Sequence, residues 1–171
     1  MSRAAACSVL AAAVLLAPGC GGGEDAAPSD VPGPEGGVLA VLAGDGRFDI
    51  LYRILTQDAE EHFVGYMSYM DWNHTVFAPT DDAFDDLSAE RLDELLAGPP
   101  RTLTRVLDCH IVPELVPEDD LKPGQLHPIQ CEWTVERGAD GVRVGQARIV
   151  DPDIKASNGI VHAVDTVLVE R

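Results

Sequence analysis

Cysteine and histidine are the side chains here best suited to nucleophilic, metal-binding or acid–base chemistry, and their spacing limits what they can do. The cysteines are Cys7, Cys20, Cys109 and Cys131, and His110 and His162 lie inside apolar segments. Structural zinc favours closely spaced ligand pairs such as Cys-x₂₋₄-Cys. Cys109 and Cys131 are far apart in sequence, so no metal centre is expected. Of the serines at Ser29, Ser68, Ser88 and Ser157, none occupies a Gly-x-Ser-x-Gly elbow. Neither a glycine-rich phosphate loop nor His-Glu-x-x-His occurs. Carboxylate pairs of the glycosidase kind arise by chance in a chain with 29 acidic residues. The expectation is therefore a non-catalytic protein without a cofactor. The alternative is a hydrolase or a metal-dependent activity on the same scaffold.

Cys20 has a different context. Arg3 precedes an uncharged run over residues 4–17, and Pro18-Gly19-Cys20 follows it. That run is 14 residues, whereas a membrane-spanning helix needs about 20, so it reads as a secretion signal over residues 1–19. A small residue followed by cysteine resembles a bacterial lipobox, with Ala17 where the pattern prefers Leu. Cys20 is then the lipidated first residue of the mature protein. Acyl chains contribute about 0.8 kcal/mol per buried methylene, and two or more give stable attachment. The protein is expected to be exported and held at the cell envelope or surface by this anchor.

Cys109 and Cys131 then remain in an oxidising compartment, where two leftover thiols are expected to form a disulfide. The chain-entropy relation gives such a loop about 3 kcal/mol.

Residues 20–37 are Gly, Pro, Ala, Ser and acids with almost nothing to bury, the composition of a tether. About 16 such residues reach roughly 20–25 Å. Residues 38–171 carry enough Leu, Val, Ile and aromatics for one core. Cleavage before Cys20 removes Arg3 and no acid, leaving 11 basic residues against 29 acidic ones and a charge of about −18. Proteins hold phosphate backbones with clustered Lys and Arg, so nucleic acid is not an expected partner. Asp81, Asp82, Asp85, Asp86, Glu90, Asp93 and Glu94 form the densest acidic run, read as a solvated face. Calcium accepts carboxylates, but the EF-hand spacing is absent.

The elements that must position these residues follow from periodicity. Phe48, Leu51, Tyr52 and Leu55 fall at helical spacing, and Phe63, Tyr66, Met67 and Met70 repeat it. His74-Thr75-Val76-Phe77-Ala78 reads as a strand, and Thr80 and Ser88 stand where they could cap helices. Gly98-Pro99-Pro100 ends the second of these. Leu103, Val106 and Leu107 mark a third, whose stripe continues to His110. That histidine is either a hydrogen-bonded core residue or a binding residue, and it is the candidate binding position. From Trp133 the period becomes two: Trp133 and Val135, then Val142 and Val144, across a turn at Gly138-Ala139-Asp140-Gly141. Ala147 to Val150, Ile160 to Val164 and Val167 to Val169 continue as strands, with Ser157-Asn158-Gly159 a turn expected to need positive φ. Helices first and strands later make an α+β domain.

These blocks, in this order, resemble the fasciclin (FAS1) family. Thr75-Val76-Phe77-Ala78-Pro79-Thr80-Asp81-Asp82-Ala83-Phe84 is similar to its first signature, and Val106-Leu107-Asp108-Cys109-His110-Ile111-Val112-Pro113 to its second. Ala156-Ser157-Asn158-Gly159-Ile160-Val161-His162-Ala163-Val164 is similar to the closing strand block. The resemblance implies a β-sandwich wedge with a cluster of N-terminal helices packed on it. It also implies adhesion, or interaction with an envelope or extracellular protein or polysaccharide. The residue before the second block's His is commonly Tyr, and that pair is linked to adhesive recognition in animal members. Here it is Cys109, so the Tyr-dependent part does not carry over.

Overall fold

Strand β1, His74–Pro79, is buried along its whole length, as a strand must be when both of its faces are covered. It pairs in parallel with β7, Gly159–Val164, and antiparallel with the two-residue β2, Ile111–Val112. The remaining strands are β3 (Gly124–Leu126), β4 (Trp133–Gly138), β5 (Gly141–Val144) and β6 (Ala147–Ala156). Together they form one seven-stranded sheet in the order β2-β1-β7-β6-β5-β4-β3. The sheet curls at β6, whose pairing with β7 shifts register twice between Ile149 and Ile154. Such bulges bend a strand and increase its twist. Asp153, at φ 57°, sits in the second of them.

The computed structural model describes residues 37–59, 67 and 73–169. The expected signal, Cys20 and the tether up to residue 36 lie outside the described residues, as do Phe63, Tyr66 and Met70. Met67 is helical and fully buried.

Alternation along the central strands divides the core in two. Val76 and Ala78 of β1, Ile111 of β2, and Val161 and Ala163 of β7 join Phe48, Leu51, Leu55 and Met67 in one cluster. Phe77, Val112 and Val164 point the other way, into a cluster with Trp133, Val135, Val142, Val144 and Leu168. The half-sheet β2-β1-β7 is thus the middle layer, with helices on one face and the curled-over strands on the other. This realises the expected α+β wedge as a single sheet folded across itself.

Among the described residues, the first face is covered by helical Met67 and by α1 (Val38–Asp45), α2 (Asp49–Arg53), α3 (Asp81–Asp85), α4 (Ala89–Ala97) and α5 (Pro100–Asp108). Helix α2 runs on into a π-helical turn, Ile54–Asp58. Of the expected stripe, Phe48, Leu51 and Leu55 are buried, joined by Ile54, while Tyr52 is exposed.

Three local expectations also change. Thr80 stands at the N-cap of α3 but its side chain makes no cap bond. Ser88 does cap α4, accepting from the Arg91 amide at 3.3 Å. Gly159 is not among the described residues with positive φ. It is glycine because a Cβ there would stand 2.3 Å from the His74 carbonyl oxygen across the β1–β7 ladder. Residues 167–169 are irregular and not a strand; Val167 enters the helical cluster and Leu168 the other.

Candidate functional site

Helices α4 and α5 owe their junction to Gly98-Pro99-Pro100. Pro100 occupies the first turn of α5, where a missing amide hydrogen costs nothing because that N–H has no intrahelical partner. Leu103 and Leu107 turn α5 onto the core while Arg101, Thr102 and Arg105 face solvent. At its end the chain passes through Cys109 and His110 into β2, which fixes both residues against the sheet.

Cys109 and Cys131 are joined by a disulfide with a Cα–Cα distance of 5.1 Å. The bond connects the entry to edge strand β2 with the entry to β4, beside the opposite edge strand β3, and so staples the open side of the curled sheet. Two hydrogen bonds reinforce it: Trp133 Nε1–H donates to the Cys109 carbonyl at 2.9 Å, and the Ile129 amide to the Ile111 carbonyl at 3.0 Å. Cys109 is 2% exposed. The position that resembles the family's Tyr is thus spent on a cross-link inside the protein.

His110 is buried, and both ring nitrogens are engaged. Nε2 accepts from the Leu168 amide at 2.9 Å, which leaves the proton on Nδ1 to donate to the Val106 carbonyl at 2.7 Å. Burial pushes its pKa down to about 4, against the weaker upward pull of the Val106 bond. His162 is held in the opposite tautomer: Nδ1 accepts from the Asp153 amide at 3.2 Å, and Nε2–H donates to the Val116 carbonyl at 2.8 Å. Burial lowers its pKa too, opposed by the Val116 bond and by the charges of Asp153 and Glu118. The structure therefore places the candidate binding residue His110 as a brace between α5 and residue 168, with neither nitrogen turned to a ligand.

A surface cleft of about 300 Å³ opens beside this brace, between α4, α5 and the segment at residues 168–169. Leu95, Val106 and Leu168 give it apolar walls, and Arg91, Glu94, Thr102 and Arg105 give it polar ones. Arg91 Nη1 pairs with Glu94 Oε2 at 2.9 Å. The sequence points to Cys109 and His110, and to Glu94 only within the acidic run, but does not single out Arg91, Thr102 or Arg105. The usable signal was charge: α5 carries two arginines and only one acid, Asp108, in a chain dominated by acids. No group of three or more His, Cys, Asp or Glu suited to a metal ion occurs among the described residues.

Comparison with known proteins places this architecture. The family model of the fasciclin domain matches residues 46–170. The chain belongs to the fasciclin domain family. Among curated relatives, it is 34% identical over 96 residues to protein sll1483 of Synechocystis sp., covering 55% of this chain and 53% of that protein. It is 31% identical over 142 residues to the transforming growth factor-beta-induced protein ig-h3 of Oryctolagus cuniculus, covering 79% of this chain and 19% of that one. The chain thus spans about half the length of the first relative and a fifth of the second. A solved fasciclin domain pair, from the insect cell adhesion molecule Fasciclin I, superposes with a TM-score of 0.61 at 21% identity. The match covers 80% of this chain and 52% of that one, and at that identity it supports the fold alone. No helix among the described residues is long and apolar enough to cross a membrane.

Proposed function

We propose that this fasciclin protein is exported, anchored through a lipid on Cys20, and acts by binding a protein or polysaccharide partner at the cell envelope or surface, without catalysis. The observation that supports the non-catalytic reading is the use made of His110 and His162, two of the three buried histidines among the described residues. Each spends one nitrogen on a backbone carbonyl and the other on a backbone amide. An imidazole held in one tautomer with a depressed pKa is a poor proton shuttle near neutrality. Membership of the fasciclin family supports the adhesive-interaction reading, and site chemistry must be argued separately from fold.

Chemical crosslinking in intact cells tests the reading. A discrete crosslinked partner is expected, lost when Cys20→Ser removes the anchor and the protein leaves the membrane fraction. Unchanged membrane retention with normal processing overturns the anchor. Turnover of ester or glycoside substrates by the purified chain, abolished by one substitution in a folded variant, overturns the binding reading.

A further inference from the structure

We propose that Asn158-Gly159 is a deamidation site that the fold keeps closed, and that undocking of helix α1 from the β6–β7 turn opens it, so that a reversible local opening becomes a permanent one.

The chemistry follows from the dipeptide. The Gly159 amide nitrogen attacks Asn158 Cγ and gives up its proton as the Cγ–Nδ2 bond breaks, and Nδ2 leaves with that proton as ammonia. The five-membered imide that remains then adds one water. Opening at Cγ gives aspartate, whereas opening at the main-chain carbonyl gives isoaspartate, with the backbone rerouted through the side chain. Glycine in the second position favours the ring closure because it has no Cβ to crowd the approach. The chain has two asparagines, and the other, Asn73, precedes His74.

The fold engages each atom that the reaction needs. Asn158 is fully buried and Gly159 is buried beside it. Asn158 Oδ1 accepts from the Val38 amide at 2.8 Å, and Nδ2 donates to the Met67 carbonyl at 2.9 Å. The main-chain carbonyl of Asn158 accepts from the His74 amide at 3.3 Å. Gly159 is held in the sheet on both sides, opposite His74 of β1 and Ala156 of β6. Departure of Nδ2 must break the Met67 bond, rehybridisation of Cγ disturbs the Val38 bond, and burial keeps out the water that opens the imide.

The latch is α1 itself. Val38 is the first residue of that helix, and Gly37 before it offers no side chain as a cap, so Asn158 satisfies the Val38 amide from another part of the chain. The helix sits directly over the dipeptide: a Cβ on Gly37 would stand 2.7 Å from Asn158 Oδ1, and one on Gly159 would stand 3.1 Å from Val38 Cγ2. Lifting α1 removes both the donor to Oδ1 and the cover. Local openings of this kind occur without global unfolding, and a reaction confined to the open form follows its population. Conversion then blocks reclosure. An aspartate at 158 sets an acceptor against the Met67 carbonyl in place of a donor and brings charge into a buried site. An isoaspartate lengthens the backbone where Gly159 must pass close to the His74 carbonyl.

Mass spectrometry of the full-length chain tests this, read on the tryptic peptide that follows Lys155, in which Asn158 is the only asparagine. Conversion to aspartate and isoaspartate is expected in guanidinium chloride at mildly alkaline pH, and conversion slower by roughly tenfold or more is expected in native buffer. No conversion in the unfolded chain overturns the site, and equal rates overturn its closure by the fold. The route of opening is read with two variants that truncate the same buried side chain, Leu42→Ala in α1 and Leu121→Ala in the other cluster. Below both thermal midpoints, Leu42→Ala is expected to accelerate conversion roughly tenfold more than Leu121→Ala, and equal acceleration overturns the role of α1. If Leu42→Ala does not fold, the wild type in subdenaturing guanidinium decides. Conversion is expected to rise in step with amide exchange in α1 and ahead of exchange in β4 and β5, and a rise only with β4 and β5 overturns the role of α1. Asn158→Asp supplies one product directly. It is expected to lose amide protection in α1 and keep it in β4 and β5. Full protection of α1 in that variant overturns the permanence, and loss spread evenly over α1, β4 and β5 overturns a local joint.

Discussion

The two faces of the β2-β1-β7 half-sheet are buried by different means. Toward the helices, the cluster of Phe48, Leu51, Leu55, Met67, Val76 and Val161 is held by apolar contact, with few polar pins. Asn158 accepts from the Val38 amide and donates to the Met67 carbonyl, and Asp81 caps α2. Toward the curled strands, apolar contact is supplemented by a covalent bond and a set of long-range hydrogen bonds. Besides the disulfide and the two histidines, Thr75 Oγ1 donates to the Glu114 carbonyl at 2.7 Å and accepts from the Val116 amide at 2.8 Å. The difference follows from geometry. Helices bring a wide apolar stripe each, whereas the strands on the other face come with irregular loops at residues 113–117, 127–132 and 165–169, whose backbone groups must be satisfied once buried. The side chains that satisfy them are the ones that first looked like chemistry.

The largest effect that separates the two faces comes from truncating the helical one. Phe48 is fully buried, so Phe48→Ala is expected to cost about 3–5 kcal/mol. Denaturant melts measure it. A loss under 1 kcal/mol would show that the helical face does not depend on apolar burial.

The curled face is tested by removing its covalent staple. Replacing both Cys109 and Cys131 by Ala is expected to cost about 3 kcal/mol, or roughly 10 °C in thermal midpoint for a domain of this size. Amide exchange should rise first in β2, β3 and β4, which the bond joins, and leave α1 and α2 protected. Uniform loss of protection would mean that the two faces unfold as one unit and are not separately held.

The pH response tests the histidines, His110 bridging α5 to residue 168 and His162 bridging residues 116 and 153. His110 has a folded pKa of about 4 against about 6.5 when unfolded. Between these values the unfolded chain binds a proton that the folded chain does not. The stabilising contribution is therefore complete above pH 6.5 and is lost as pH falls toward 4. From pH 7 to pH 5 the loss is about 2 kcal/mol for His110, and His162, lowered in the same direction, adds to it. Melts at the two pH values, with imidazole titration by NMR, measure this. A His110 ring that protonates near pH 6.5 in the folded protein removes the argument.

The division between the faces also explains what could be read from sequence. The apolar stripe of Leu103, Val106 and Leu107 and the alternation from Trp133 to Val144 are local patterns, and they located α5 and the β4–β5 hairpin. The family blocks supplied the wedge of sheet and helices, and the strand order emerges only in the structure. What was not legible is non-local. The π turn at Ile54–Asp58 has no residue propensity that marks it. Gly159 was assigned a turn conformation when its real constraint is the carbonyl of His74, 85 positions away in sequence but adjacent in the ladder. The cleft depends on where residues 168–169 come to rest against α4 and α5, and a run of Val-Leu-Val reads as strand wherever it rests.

The smallest effect concerns the pin on the helical face, and it discriminates local from non-local capping. By sequence Thr80 is the cap, being a hydroxyl residue before an acidic first turn. In the structure its side chain makes no cap bond, and Asp81, one residue on, reaches across to another helix. Its carboxylate accepts from the Ile50 amide at 2.9 Å and the Asp49 amide at 3.3 Å, at the start of α2, where the N-cap residue Phe48 has no acceptor of its own. A carboxylate there satisfies two otherwise unpaired N–H groups and meets the positive end of the helix dipole. Asp81→Ala is therefore expected to cost about 1–2 kcal/mol, in the range of lost helix caps, and to fray α2 rather than α3. Thr80→Ala should stay within about 0.5 kcal/mol, as for a surface substitution without a special role. Stability and residue-specific amide exchange of the two variants decide the matter. If Thr80→Ala proves the costlier, or if Asp81→Ala loosens α3 first, the cap is local and the pin between the α2 and α3 helices does not exist.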